Sequence, residues 1–171
     1  TALLFLFLLT ATGARWPAFV AALLWAVHPL RVESVAWVTE RKDTLAALFG
    51  FLALYLYVRQ HRPSGEEGDG RGAGVRWLSE LGVAAAFVAS LLAKPMLLMF
   101  PVLMLILDWW PLRRWSVRSL PWLILEKVHL FVLAGLAGAV TVFAEHESGA
   151  LDVLSVPVAT RLANVPIAFT Q

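Results

Sequence analysis

Cysteine is absent from the 171 residues, which excludes disulfides, thiol nucleophiles and thiolate-held metals. The redox compartment stays open, because absence fits either side of a membrane. Charge is scarce as well, at 15% against about 25% in soluble domains. The sequence has no glycine-rich phosphate loop, no nucleophile-elbow serine and no His-Glu-x-x-His pair, so these signatures of soluble enzymes are missing. No positively charged stretch precedes the apolar run that begins at Ala2, which argues against a signal peptide. The formal charge is only +2, and the cations sit in short connectors. They read as topology signals, and nucleic acid is not an expected partner.

What remains is mostly hydrophobic: 60% of residues, eight tryptophans and a mean hydropathy of +0.74. Apolar runs lie at about 1–12, 17–30, 44–58, 77–93, 95–110 and 120–144, with another starting near 161. The runs are continuously apolar and do not alternate at period two, which favours helices over a barrel. The expectation is an all-α, polytopic transmembrane bundle of about six to seven helices. Several runs are shorter than the roughly 20 residues needed to cross about 30 Å of hydrocarbon, so some must borrow flanking residues. Pro17, Pro29, Pro95, Pro111 and Pro121 mark run ends, whereas Pro101 lies inside a run and predicts a kink. Residues 59–76, with Pro63, Ser64 and several glycines, read as a flexible loop. Thr1 is not a start methionine and the last residues are again apolar, so the chain is expected to be an internal piece of a longer protein.

Lys and Arg divide unevenly between alternate connectors. One set holds Arg15, Arg59, Arg62, Arg71, Arg76, Arg113, Arg114, Arg118 and Lys127, nine in all; the other holds Arg31, Arg41, Lys42, Lys94 and Arg161, five. The richer side is expected to be cytoplasmic, which makes 59–76 a cytoplasmic loop and puts residues 31–43, Lys94 and residues 145–152 on the exoplasmic face. Trp109, Trp110 and Trp115 beside Arg113 and Arg114 have the composition of an interfacial aromatic belt with snorkelling cations. Asp108 is expected to pair with a nearby Arg.

Chemistry concentrates in His28-Pro29-Leu30-Arg31-Val32-Glu33 and Glu40-Arg41-Lys42-Asp43, seven ionisable groups between two apolar runs. Between Val32 and Glu40 the pattern suits a short interfacial helix. Glu33, Trp37 and Glu40 would then share a face. A carboxylate held there by Arg41 could accept a proton or hold a sugar hydroxyl or a divalent ion; equally, the segment could be a surface helix stitched by ordinary ion pairs. Asp43 fits an N-terminal helix acid as well as a site acid. His28 fits a proton carrier or sugar contact as well as a structural donor. Lys94, in Leu92-Ala93-Lys94-Pro95, could meet a lipid phosphate or simply snorkel. Glu145, His146, Glu147 and Asp152 have a spacing open to metal ligation but read as a solvated loop, and no metal is assigned to them.

Those stretches also carry a resemblance. The run from His28 to Val38 with Glu40-Arg41-Lys42-Asp43, then Leu92-Ala93-Lys94-Pro95-Met96, Leu107-Asp108-Trp109-Trp110-Pro111-Leu112, Leu125-Glu126-Lys127 and Arg161-Leu162-Ala163-Asn164, resembles the membrane part of bacterial tetratricopeptide-repeat glycosyltransferase-like proteins. These are similar to the animal transmembrane and tetratricopeptide-repeat O-mannosyltransferases. The resemblance implies part of a GT-C fold at the bacterial inner membrane, with its site facing the periplasm. It also implies transfer of a sugar, such as mannose, from a polyprenyl phosphate to a protein or other hydroxyl acceptor. By the same resemblance, Glu33 and Asp43 are candidate catalytic groups, and His28, Arg31, Arg41 and Lys94 candidate substrate contacts. Many relatives carry His where this chain has Arg31. A first-loop acid upstream of Thr1 and repeats downstream would complete the protein, so this piece alone is expected to be inactive. The competing classes are a transporter or flippase, which would place charges near the bilayer midplane, and a non-catalytic membrane anchor.

Overall fold

The computed structural model describes residues 1–29, 41–62, 73–116 and 119–147, with backbone alone for 73–76. Among these residues there are six helices and no strands: α1 (Ala2–Thr12), α2 (Arg15–Val27), α3 (Arg41–His61), α4 (Ala73–Ala93), α5 (Phe100–Trp109) and α6 (Leu120–Glu147). Arg31, Glu33, the segment 32–40 and Asp152 lie outside the described residues.

Only α6, among them, is both long and apolar enough to cross a membrane unaided. Its 28 residues span about 42 Å at 1.5 Å per residue. The helices α1, α2, the Trp77–Ala93 part of α4, and α5 are apolar but shorter. The helix α3 carries Arg41, Lys42 and Asp43 in its first turn and Arg59 and His61 in its last. It extends beyond the apolar run 44–58 at both ends, because Arg, Lys and Gln are good helix formers and hydropathy does not mark where helical hydrogen bonding stops.

Antiparallel packing of α3 against α4 forms the centre of the fold. Ala46, Gly50, Ala53, Leu54 and Tyr57 are buried on one face of α3, the spacing that puts side chains on a single helical stripe. The small ones admit close approach: a Cβ on Gly50 would collide with Leu97, from the turn after α4. Buried Ser90 of α4 donates its hydroxyl to the Ala46 carbonyl at 2.8 Å. Phe87 and Phe100 stack with centroids 4.8 Å apart, tying α5 to α4.

Glycine at 13 is required by the α1–α2 turn. Its φ is +73° and its N–H closes α1 on the Leu9 carbonyl at 2.9 Å, a left-handed helix end that favours a residue without Cβ. A Cβ there would lie 2.9 Å from the Arg62 guanidinium, which donates to the Leu9 and Thr10 carbonyls. A cation from the end of α3 thus satisfies the negative end of α1. Their C-terminal ends therefore lie together, and α2 runs back the other way.

Pro101 does not kink a helix. It occupies the first turn of α5, where a missing N–H leaves no intrahelical bond unmade; the apolar run 95–110 contains the α4–α5 turn as well as α5. After α5, Arg113 takes a positive φ of 52°. The chain folds back there, with Leu112 N–H donating to the Leu107 carbonyl at 3.0 Å and Arg114 N–H to the Asp108 carbonyl at 2.8 Å.

Candidate functional site

The helix directions sort the polar side chains into two centres at opposite ends of the bundle. At one end lie the start of α3 and the end of α4. There Asp43 and Lys94 form an ion pair at 2.5 Å, each side chain about a quarter exposed. The pairing follows from the packing below it. Ser90 is one turn before Lys94 and Ala46 one turn after Asp43, so their buried hydrogen bond sets the two charged side chains face to face. Each charge also sits at the favourable pole of its own helix, an acid in the first turn of α3 and a cation at the C-terminal end of α4.

The other sequence candidates fall around this pair unequally. Exposed Arg41 stands in the same first turn as Asp43. His28 ends α2, and because α2 is antiparallel to α1 it points to this end. Arg31 and Glu33 are outside the described residues. The structure therefore joins Asp43 to Lys94 directly and places exposed Arg41 in the same helical turn as Asp43.

The second centre is built at the opposite end, from the last turns of α3 and α5, the turn after α5 and the second turn of α6. Asp108 is fully buried and receives three donors or cations. The Tyr57 hydroxyl donates at 2.7 Å, Arg114 donates at 3.1 Å to the same oxygen, and the Lys127 ammonium lies 2.7 Å from the other. Lys127 is itself 1% exposed, donates to the Leu123 carbonyl at 3.3 Å and lies 5.2 Å from the centroid of the Tyr57 ring. Arg114 then bridges to Glu126 at 3.1 Å, whose other oxygen lies 3.1 Å from His61 Nε2. His61 Nδ1 meets the Tyr57 carbonyl at 2.9 Å.

Burial of Arg114 acts to lower its pKa. The hydrogen bond and charge of Glu126, then Tyr57 and Asp108, outweigh this and hold the guanidinium above its ordinary value. Two carboxylates, Asp108 and Glu126, are thus matched by one arginine and one lysine inside the bundle. Beside them, Tyr57, Gln60, His61, Glu80, Glu126, Lys127 and His129 line a cleft of about 20 Å³, room for little more than one water.

The expected pairing of Asp108 with a nearby Arg is present, through Arg114. The parts played by Tyr57, His61, Glu126 and Lys127 are not apparent from sequence order, and Lys127 is an interior partner of Asp108 where the charge count had placed it among connector cations. Two opposite charges at 126–127 inside the apolar run 120–144 were the available signal, since such charges in a membrane helix need partners. Trp109, Trp110 and Trp115 are exposed, as an interfacial belt requires. Among the described residues no cluster of His, Asp and Glu is arranged to hold a metal ion.

Comparison with known proteins adds a relation over part of the chain. The human protein O-mannosyl-transferase TMTC4 is 47% identical over 51 residues, 30% of this chain. Human protein O-mannosyl-transferase TMTC1 is 52% identical over 45 residues, 26% of this chain. Drosophila melanogaster protein O-mannosyl-transferase Tmtc2 is 35% identical over 85 residues, half of this chain. Short segments of this chain are related to O-mannosyl-transferases. The matches cover 7%, 5% and 8% of those relatives' lengths, so the chain spans only a small part of each. No family model and no solved structure matches.

Proposed function

We propose that the full-length protein is a multi-pass membrane glycosyltransferase of GT-C type. It moves a sugar, mannose by analogy with the relatives' names, from a polyprenyl phosphate to a hydroxyl on a protein acceptor. The cation-rich end with Arg59, Arg62, Arg113 and Arg114 faces the cytoplasm, and the Asp43–Lys94 end faces the exoplasmic side, the periplasm of a bacterium. The observation that carries this reading is the Asp43–Lys94 ion pair: an acid and an amine meet at the cation-poor end of a chain related in segments to O-mannosyl-transferases.

In the proposed reaction the acceptor oxygen bonds to the anomeric carbon while the bond from that carbon to the phosphate oxygen breaks. The electron pair leaves with the phosphate. The hydroxyl proton passes to a carboxylate, and Asp43 and Glu33 are the candidates for that role and for orienting the acceptor. Lys94, with Arg41 and Arg31, meets the phosphate as its charge grows. His28 is a candidate contact to the sugar. No metal enters the scheme.

Removing a group that stabilises developing charge costs about 10²–10³ in rate. Lys94→Ala and Glu33→Ala in the full-length protein are therefore expected to reduce transfer from a radiolabelled polyprenyl-phosphate sugar by about that factor, at unchanged expression. Wild-type turnover in both variants would remove the assignment of these residues, and a wild type that transfers no sugar would leave a membrane anchor.

A further inference from the structure

Asp43 lies where an anionic ligand of Lys94 would lie. It presents a carboxylate to the ammonium at 2.5 Å within the first turn of α3, whose backbone N–H groups themselves favour a negative charge. Arg41 and Lys42 share that turn and are exposed, which adds positive charge to this end of the bundle beside the Asp43–Lys94 pair. The geometry is fixed from beneath by the buried Ser90–Ala46 hydrogen bond and by the tight contact of Gly50 with Leu97. A phosphate reaching Lys94 would compete with Asp43 for the ammonium, because the helix contact holds the start of α3 and the end of α4 together and so keeps the carboxylate within reach of that amine.

We propose that Asp43 is an internal counterion that the phosphate group of the donor displaces, so that donor binding both engages Lys94 and releases the Asp43 carboxylate. This inference rests on the glycosyltransferase reading and adds an order to it. Before donor arrives, Asp43 is tied to Lys94 and is a poor proton acceptor. Once a phosphate occupies Lys94, the carboxylate is left beside an anion and turns to the acceptor hydroxyl. The ligand chemistry is a phosphate anion, which a lipid headgroup and free phosphate share.

The displacement makes a counter-intuitive prediction, because removing an acid from the site should improve binding of the donor while impairing its use. Partly exposed ion pairs are worth at most about 1 kcal/mol, so Asp43→Asn should tighten binding by about two- to fivefold. The experiment measures Kd for a short-chain polyprenyl phosphate and, separately, for inorganic phosphate, on the full-length protein in nanodiscs. Asp43→Asn should bind the lipid phosphate more tightly and transfer sugar more slowly, with donor KM and kcat falling together. Asp43→Glu, which keeps the charge, should bind near wild type, and Lys94→Gln should lose binding by tenfold or more. A parallel gain for inorganic phosphate identifies the bare anion as sufficient; a gain confined to the lipid identifies the headgroup in its bilayer setting. Both outcomes support displacement. Unchanged or weaker lipid-phosphate binding in Asp43→Asn, in a wild type that transfers sugar, overturns the displacement alone. A wild type that neither binds the lipid phosphate nor transfers sugar overturns the functional reading along with it.

Discussion

Asp108 and Lys127 are nearly inaccessible, 0% and 1% exposed, and meet at 2.7 Å, so each is a principal partner of the other inside the bundle. Removing one partner of such a pair strands a buried charge, at a cost of about 3–5 kcal/mol, whereas replacing both by apolar groups of similar volume is often neutral. Lys127→Met is therefore expected to destabilise the protein by about 3 kcal/mol, and Asp108→Leu with Lys127→Met together by clearly less than the sum of the single changes. Thermal unfolding in detergent, run as a double-mutant cycle, measures the coupling; additive losses would show that the ammonium and carboxylate stabilise the fold independently. Sequence reasoning reached half of this centre. Asp108 sits six residues from Arg114, and a charge at a run end finds a neighbouring cation. Tyr57 and Lys127 lie 51 and 19 positions from Asp108, and only the packing of three helices brings them together.

At the scale of the helix, ends are decided by backbone bonding rather than hydropathy. The apolar runs located α1, α2, α3, α4 and α6, but α3 extends three residues before and three beyond its run. The run 95–110 held a turn, with α5 starting only at Phe100. Pro101 illustrates why: in a hydropathy pattern it interrupts a segment, while in the chain it begins one. The end of α1 is where a single residue controls two elements. Gly13→Ala would place a Cβ in a left-handed conformation and against Arg62, the cation that satisfies the α1 carbonyls. The expected loss is about 1–2 kcal/mol, read as a lower melting temperature of the full-length protein. A melting temperature equal to wild type would mean that Arg62 and the turn relax freely.

Across the whole molecule, alternate connectors gather at two ends of different character, one bearing the neutralised network and most of the cations, the other the Asp43–Lys94 pair. The alternation was legible because it needs only the number of helices and the positions of Lys and Arg. The contents of each end were not, because a charge count cannot tell a solvated cation from a buried one such as Lys127. The absence of cysteine makes the arrangement directly measurable. Lys42→Cys and Arg113→Cys, each introduced alone with any cysteine outside these 171 residues replaced, should label with a membrane-impermeant maleimide from opposite faces, Lys42→Cys from the exoplasmic side. Labelling of both from one face would invalidate the two-ended arrangement and the site assignment with it.

In the proposed multi-pass arrangement, the buried ion pair between α5 and α6 also constrains how the chain is inserted. A bilayer accepts neither a lone carboxylate at the tail of α5 nor a lone ammonium near the head of α6 cheaply, and α5 is a short helix of ten residues. The two segments should therefore leave the insertion machinery as one hairpin, with α5 waiting for Lys127 to emerge, and a nascent chain cut between Trp110 and Leu120 should be retained there or degraded.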